Sequence, residues 1–351
     1  MKAIAKLLLP VIFVSFHSDA IVMRHDKDSD LYQVKDKAYS SVINLDFLMG
    51  TLIAPQWIVT AAHGTPLMPG GQELKIAGQN YYVEKIIPYP EYAPTEQDHT
   101  HDIALLKLNK PVSGIKSTGI YSQKDELNKS VWFVGSGYTG NGKEGITGMA
   151  TGLNHAQNMT DKTDNNWLYF DFDSPENGAL PLEGISGPGD SGGPAFIKTQ
   201  SGLKVAGISS HQLDNESGQS GVYGVTEKYT RVSSYAGWIQ DTMNKSEQEL
   251  NKVALERPHY KRQKASDSEK SELQGSYRVE SLPTFIIEPC RHTLCYRWDG
   301  QPRSTEIYKT ADNLWFTNKV NRAIEVIRNS RGEVEKLFFK GYQGDKYAVK
   351  L

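Results

Sequence analysis

Three separated segments carry side chains that together could transfer an acyl group. Gly50-Thr-Leu-Ile-Ala-Pro-Gln-Trp-Ile-Val-Thr-Ala-Ala-His63 ends a strand-like run on a histidine, and His101-Asp102-Ile-Ala-Leu-Leu-Lys-Leu108 sets an aspartate directly before an apolar strand. Gly187-Pro-Gly-Asp-Ser-Gly-Gly-Pro194 places a serine in a glycine-dense loop. A serine hydroxyl is a weak nucleophile at neutral pH, so Ser191 needs an imidazole, here His63, to take its proton and later deliver one to the leaving amine. A buried carboxylate, Asp102, would hold that imidazole in the correct tautomer and stabilise its positive form. The glycines let backbone N–H groups beside the serine converge on the oxyanion, where each donor is worth roughly 3–4 kcal/mol. Asp98, His99, His101 and Asp102 also have metal-ligand residue types. Asp102 already has a role, however, and alternate positions on an extended segment face opposite ways. No metal or cofactor is therefore expected, and His99 and His101 read as polar loop residues at the edge of a cleft.

The elements around these segments divide the chain in two. From Ala38 to about Trp238, short β-rich runs (Tyr39–Leu45, Trp57–Thr60, Ile103–Leu108, Val131–Gly135, Leu203–Ser209) alternate with Gly, Pro, Asn and Asp, which predicts an antiparallel barrel or sandwich. Trp238, Ile239, Thr242, Met243, Leu250, Val253 and Ala254 then recur at helical spacing, predicting a single amphipathic helix. The polar segment 258–272 reads as a linker. In residues 273–351, Arg322–Arg328 and Glu333–Phe339 flank Asn329-Ser-Arg-Gly332 as a hairpin, and Tyr277, Phe285, Tyr296, Trp298, Trp315, Phe316, Phe338 and Phe339 are expected to fill a small β-rich core.

At the start of the chain, Lys2 and Lys6 precede the apolar run Leu7–Phe16, and Ser18-Asp19-Ala20 ends it with small residues, the pattern of a secretory signal cut after Ala20. The expected organisation is thus a signal over 1–20, a catalytic domain over 21–257, the linker, and an accessory domain over 273–351. Export makes a disulfide between Cys290 and Cys295 the preferred state of the only two cysteines. No later stretch has eighteen uninterrupted apolar residues, so no transmembrane segment is expected. With 39 basic and 41 acidic residues, nothing favours a nucleic-acid or anionic-membrane partner.

With His63, Asp102 and Ser191 in that chain order, the sequence resembles the trypsin/chymotrypsin-like serine peptidases. The resemblance covers roughly residues 21–245 and implies a double antiparallel β-barrel with a C-terminal helix, protein or peptide substrates, and a site in the cleft between barrels. It further implies an oxyanion hole from the amides of Gly189 and Ser191, and a hydrogen bond from Ser210 to the catalytic aspartate. A new terminus at Ile21 would pair with Asp190, although residues 23–26 lack the family's usual glycines. Around the substrate pocket the family's positions correspond to Ile185, Ser186, Ser210, His211, Gln212 and either Gly221 or Glu227. Ile185, where trypsin-like specificity has an aspartate, favours an apolar or mixed pocket over one for Lys or Arg; Glu227, if it pointed inward, would restore basic specificity. The lack of cysteine in the catalytic part points to a bacterial protein. A non-catalytic, protease-like binding protein is the alternative reading, and the tail would dock substrate or a surface.

Overall fold

The structure is a computed structural model that describes residues 21–351 apart from 36, 94–98, 150–151, 214, 216, 280–282, 300–303, 318 and 342–345. The proposed signal segment 1–20 and Asp98 therefore lie outside the described residues.

The chain is mostly β. After β1 (Ile21–Met23), a six-stranded barrel-like sheet forms from β2 (Val42–Asn44), β3 (Met49–Ala54), β4 (Trp57–Thr60), β5 (Glu73–Ile76), β6 (Gln79–Pro88) and β7 (Ala104–Leu108), in the order β2-β3-β4-β7-β6-β5. The β-branched and aromatic run of β4 is buried throughout, as suits a central strand that packs on both faces. Ile43, Leu52, Ile58, Val83, Leu106 and Leu108 form the interior of this sheet.

The second half adds β8 (Ser130–Gly135), β9 (Tyr138–Asn141), β10 (Gly145–Met149), β11 (Asn154–Met159), β12 (Lys162–Thr163), β13 (Trp167–Asp171), β14 (Gly184–Ile185), β15 (Pro194–Thr199), β16 (Gly202–Gln212) and β17 (Thr226–Arg231). Seven of these form the sheet β11-β8-β15-β16-β17-β13-β12, while β1 is threaded between β9 and β14 in a small sheet of four. Phe133, Phe170 and Tyr229 pack ring against ring at its centre, with centroids 4.7–5.2 Å apart. The fold is thus two barrel-like sheets side by side.

Where one closing helix is expected there are two, α1 (Ala236–Met243) and α2 (Glu247–Val253). Ser246 interrupts the period: it caps α2 through a reciprocal Ser246–Glu249 capping box, which competes locally with a continuous helix. The same chemistry alters the linker. Ser266 and Glu269 form a second capping box, and α3 (Asp267–Leu273) occupies the end of the polar segment with Leu273 buried. Polarity alone hides such a helix, because its stability comes from its cap and one apolar anchor.

Beyond α3 lies a closed eight-stranded antiparallel barrel: β18 (Gly275–Val279), β19 (Phe285–Cys290), β20 (Thr293–Trp298), β21 (Thr305–Ala311), β22 (Leu314–Phe316), β23 (Arg322–Arg328), β24 (Val334–Gly341) and β25 (Lys346–Lys350), with β25 pairing back onto β18. Closure leaves no sheet edge open. Tyr277, Phe285, Leu294, Ile307, Trp315, Ile324, Leu337 and Phe339 fill the interior. Phe338 instead faces outward, stacked on Tyr347 at 4.7 Å. Cys290 and Cys295 form a disulfide across the β19–β20 turn.

Candidate active site

Strand register brings the first two chemical side chains together. β4 and β7 are antiparallel neighbours with Thr60 opposite Ala104, so His63, three residues past Thr60, and Asp102, two before Ala104, leave adjacent strand ends. Asp102 is fully buried and accepts from the His63 backbone N–H at 2.8 Å and from His63 Nδ1 at 2.7 Å. Because a carboxylate only accepts, the proton of His63 sits on Nδ1 and Nε2 keeps its lone pair. Ser210 Oγ donates to the same Asp102 oxygen as His63 Nδ1, at 2.6 Å, and Thr230 Oγ1 donates to the Asp102 carbonyl at 2.8 Å. Burial works to lower the pKa of His63, but the hydrogen bond and charge of Asp102 outweigh it, and the net shift is upward. For Asp102 the burial penalty is likewise overcome, by the donors from His63 and Ser210, and its pKa falls.

Ser191 lies on the loop between β14 and β15, which is clamped to both halves of the molecule. Its carbonyl accepts from Met49 N–H at 2.8 Å on the first sheet, while Gly192 N–H donates to Ser209 O at 2.9 Å and Ser209 N–H to Gly193 O at 2.9 Å on the second. Gly192 has φ +80°, and a Cβ there would stand 2.3 Å from both Met49 O and Thr60 Oγ1, so only glycine permits this approach. The loop is thereby pressed against the strand end that leads to His63. Among the described residues no hydrogen bond joins Ser191 Oγ to His63, a contact that commonly tightens only with substrate bound. Gly189, at φ +92°, and Ser191 have amides that donate to no other described residue.

Asp190 points inward. Its carboxyl accepts from Gly137 N–H at 2.6 Å and Gly187 N–H at 3.0 Å, and also from the backbone of Ser136 and Ile21. Burial pushes its pKa up to about 6 against these donors. Ile21 is 1% exposed.

Beside Ser191 opens a cavity of about 240 Å³ lined by Ser186, Gly187, Pro188, Ser209, Ser210, His211, Gln212, Ser220 and Glu227. This lining is mixed, polar side chains standing beside Gly187 and Pro188. Ile185 is fully buried behind the wall, in β14, packed with Val22, Phe172 and Val225, and does not line the cavity. Gly221 does not line the cavity, though its N–H donates to Gln212 Oε1 at 3.2 Å, so of the two aligned positions it is Glu227 that faces the pocket.

Of the two loop histidines, His101 is drawn into an aromatic cluster, stacked on Tyr89 at 5.0 Å with Nδ1 3.0 Å from Tyr235 Oη. His99 sits between the rings of His63 and His211, at 6.3 and 5.1 Å. Both lie in the loop before β7, and each has a ring partner from far away in sequence, Tyr235 just before α1 and His211 on β16. Among the described residues no three His, Cys, Asp or Glu side chains converge as a metal group.

The family model for Trypsin matches residues 25–239. The chain belongs to the trypsin family of serine peptidases. Coagulation factor IX of Oryctolagus cuniculus is 31% identical over 222 residues, an alignment covering 55% of this chain and 74% of that protein. The family match ends within α1, so the closed barrel of this trypsin-family chain lies outside it.

Proposed function

We propose that this chain is a secreted serine endopeptidase in which Ser191, His63 and Asp102 hydrolyse peptide bonds through an acyl-enzyme. The observation that carries the reading is the buried Asp102 carboxylate holding both the backbone and the ring of His63, with Ser191 clamped at the mouth of a cavity. His63 Nε2 takes the proton of Ser191 Oγ as the oxygen bonds to the substrate carbonyl carbon. The carbonyl oxygen gains the electron pair and is held by the amides of Gly189 and Ser191. Collapse of this intermediate breaks the C–N bond, and His63 returns its proton to the amine. Water then repeats the sequence in place of Ser191 and releases the acid.

Activation in this reading follows from removal of the export signal after Ala20. The buried Ile21 carries φ +71°, a conformation that is costly for a β-branched residue. Cleavage of the preceding peptide bond removes that constraint and creates an amine where the Ile21 N–H already meets Asp190. The tail is read as an accessory domain. Its support is contact with the catalytic half of the chain: Asn321 N–H donates to Leu67 O at 2.5 Å, and Lys319 Nζ pairs with Asp46 at 3.0 Å. No helix among the described residues is long and apolar enough to cross a membrane.

Digestion of a mixed peptide pool, read by mass spectrometry, tests the activity. The mature protein and a Ser201→Ala variant, altered in an exposed turn, should cut the pool, whereas Ser191→Ala should leave it intact. Cutting by Ser191→Ala at the wild-type rate would refute the reading.

A further inference from the structure

Glu227 and Gln212 are directly opposite each other on β17 and β16, so both side chains project from one face of the sheet into the cavity beside Ser191. The carboxamide of Gln212 spans that cavity. Its Nε2 donates to the Ser186 carbonyl on the opposite wall at 3.1 Å, and its Oε1 accepts from Gly221 N–H on the neighbouring loop at 3.2 Å. A side chain held at both ends of its polar group forms a bar, and any deep occupant must displace it and leave two partners unpaired.

The floor needs nothing from a substrate. Ser186 donates to Glu227 through its backbone N–H at 2.9 Å and through its hydroxyl, and that hydroxyl also lies 2.8 Å from Tyr229 Oη and 3.0 Å from Ser209 Oγ. Glu227 is 2% exposed. Burial is the main cause pushing its pKa up to about 8, with Asp190 adding to the rise and the Ser186 donors opposing it. A neutral floor acid gives a guanidinium or ammonium group no full charge to offset the loss of its water.

We propose that Gln212 is a specificity-determining residue, a bar that limits the side chain on the acyl side of the scissile bond to short, uncharged ones such as Ala, Ser or Asn and excludes Arg and Lys. The inference rests on the peptidase reading of Ser191 and extends it to a substrate class.

The test uses mature full-length protein and peptides that differ only in the residue before the scissile bond: Ala, Ser, Asn, Phe, Lys or Arg. In wild type, kcat/KM for Ala, Ser and Asn should exceed that for Lys and Arg by at least about tenfold, the scale set by a few pocket contacts. Gln212→Gly, with Gln212→Ser as a second, milder variant, should raise kcat/KM for Lys and Arg by about tenfold or more. Labelling of Ser191 by a fluorophosphonate reports on folding and on the peptidase reading separately. The proposal is overturned if wild type cuts after Lys or Arg as well as after Ala, if labelled Gln212 variants keep the wild-type ratio, or if labelled wild type cuts none of the peptides. Failure of wild type to take the label would instead overturn the peptidase reading beneath it.

Discussion

Three donors converge on the Asp102 carboxylate, and they set the protonation of the whole site: His63 N–H, His63 Nδ1 and Ser210 Oγ. Because the charge on Asp102 favours the imidazolium, His63 holds its proton to a higher pH than its ordinary 6.5. A general base must be neutral, so kcat/KM should fall as pH drops through that raised value. Asp102→Asn removes the charge and turns an acceptor into a competing donor, leaving burial as the main influence on His63. The acid limb of the pH profile should then move below 6.5, with kcat reduced about 10⁴-fold because the wrong tautomer is held. An unshifted limb would contradict this account of Asp102. These residues were legible in the sequence because their types and chain order are themselves the signal. Gln212 was legible only as an unusual residue beside the site, since its meaning depends on Ser186 and Gly221, both brought to it by tertiary structure.

At the scale of elements, the site depends on strand ends being held in register. β17 carries Glu227 to the pocket and Thr230 to Asp102, and its last residue is anchored from outside the sheet. Arg231 Nη2 lies 2.5 Å from Glu126 Oε2, the pair being 9% and 0% exposed, and Ser233 Oγ donates to Glu126 Oε1 at 2.6 Å. Glu126→Ala would strand the arginine in a dry site and should cost about 3–5 kcal/mol, read as a lower urea midpoint with an unchanged slope. A loss below about 1 kcal/mol, as at exposed pairs, would show that the pair is not part of the core. Strand existence was readable where β-branched and apolar runs were long, as at Trp57–Thr60 and Leu203–Ser209, both of which are strands. The break between α1 and α2 and the helix α3 each carry a Ser-x-x-Glu signature, but apolar period and polarity do not reveal them, because a cap and one apolar anchor set these short helices.

For the whole molecule, both cysteines lie in the tail barrel, so the two sheets that build the site are held without a disulfide. Replacing Cys290 and Cys295 by serine opens a loop of only about six residues and should cost roughly 2 kcal/mol, borne by the tail. A calorimetric scan should show one transition lowered while peptide hydrolysis stays within about twofold; a collapse of activity would mean that the barrel and the site are tightly coupled. Such coupling would have to pass through contacts such as Asn321 with Leu67, which no sequence pattern announced. The central claim requires all three scales at once: Ser191 on one loop, His63 on the other sheet, and the clamp that joins them. Intact-mass spectrometry of the mature protein after fluorophosphonate treatment, followed by peptide mapping, tests it most directly. One adduct per chain, located on Ser191 and lost in His63→Ala, is the predicted result; an unlabelled wild type, or an adduct on another serine, would contradict it.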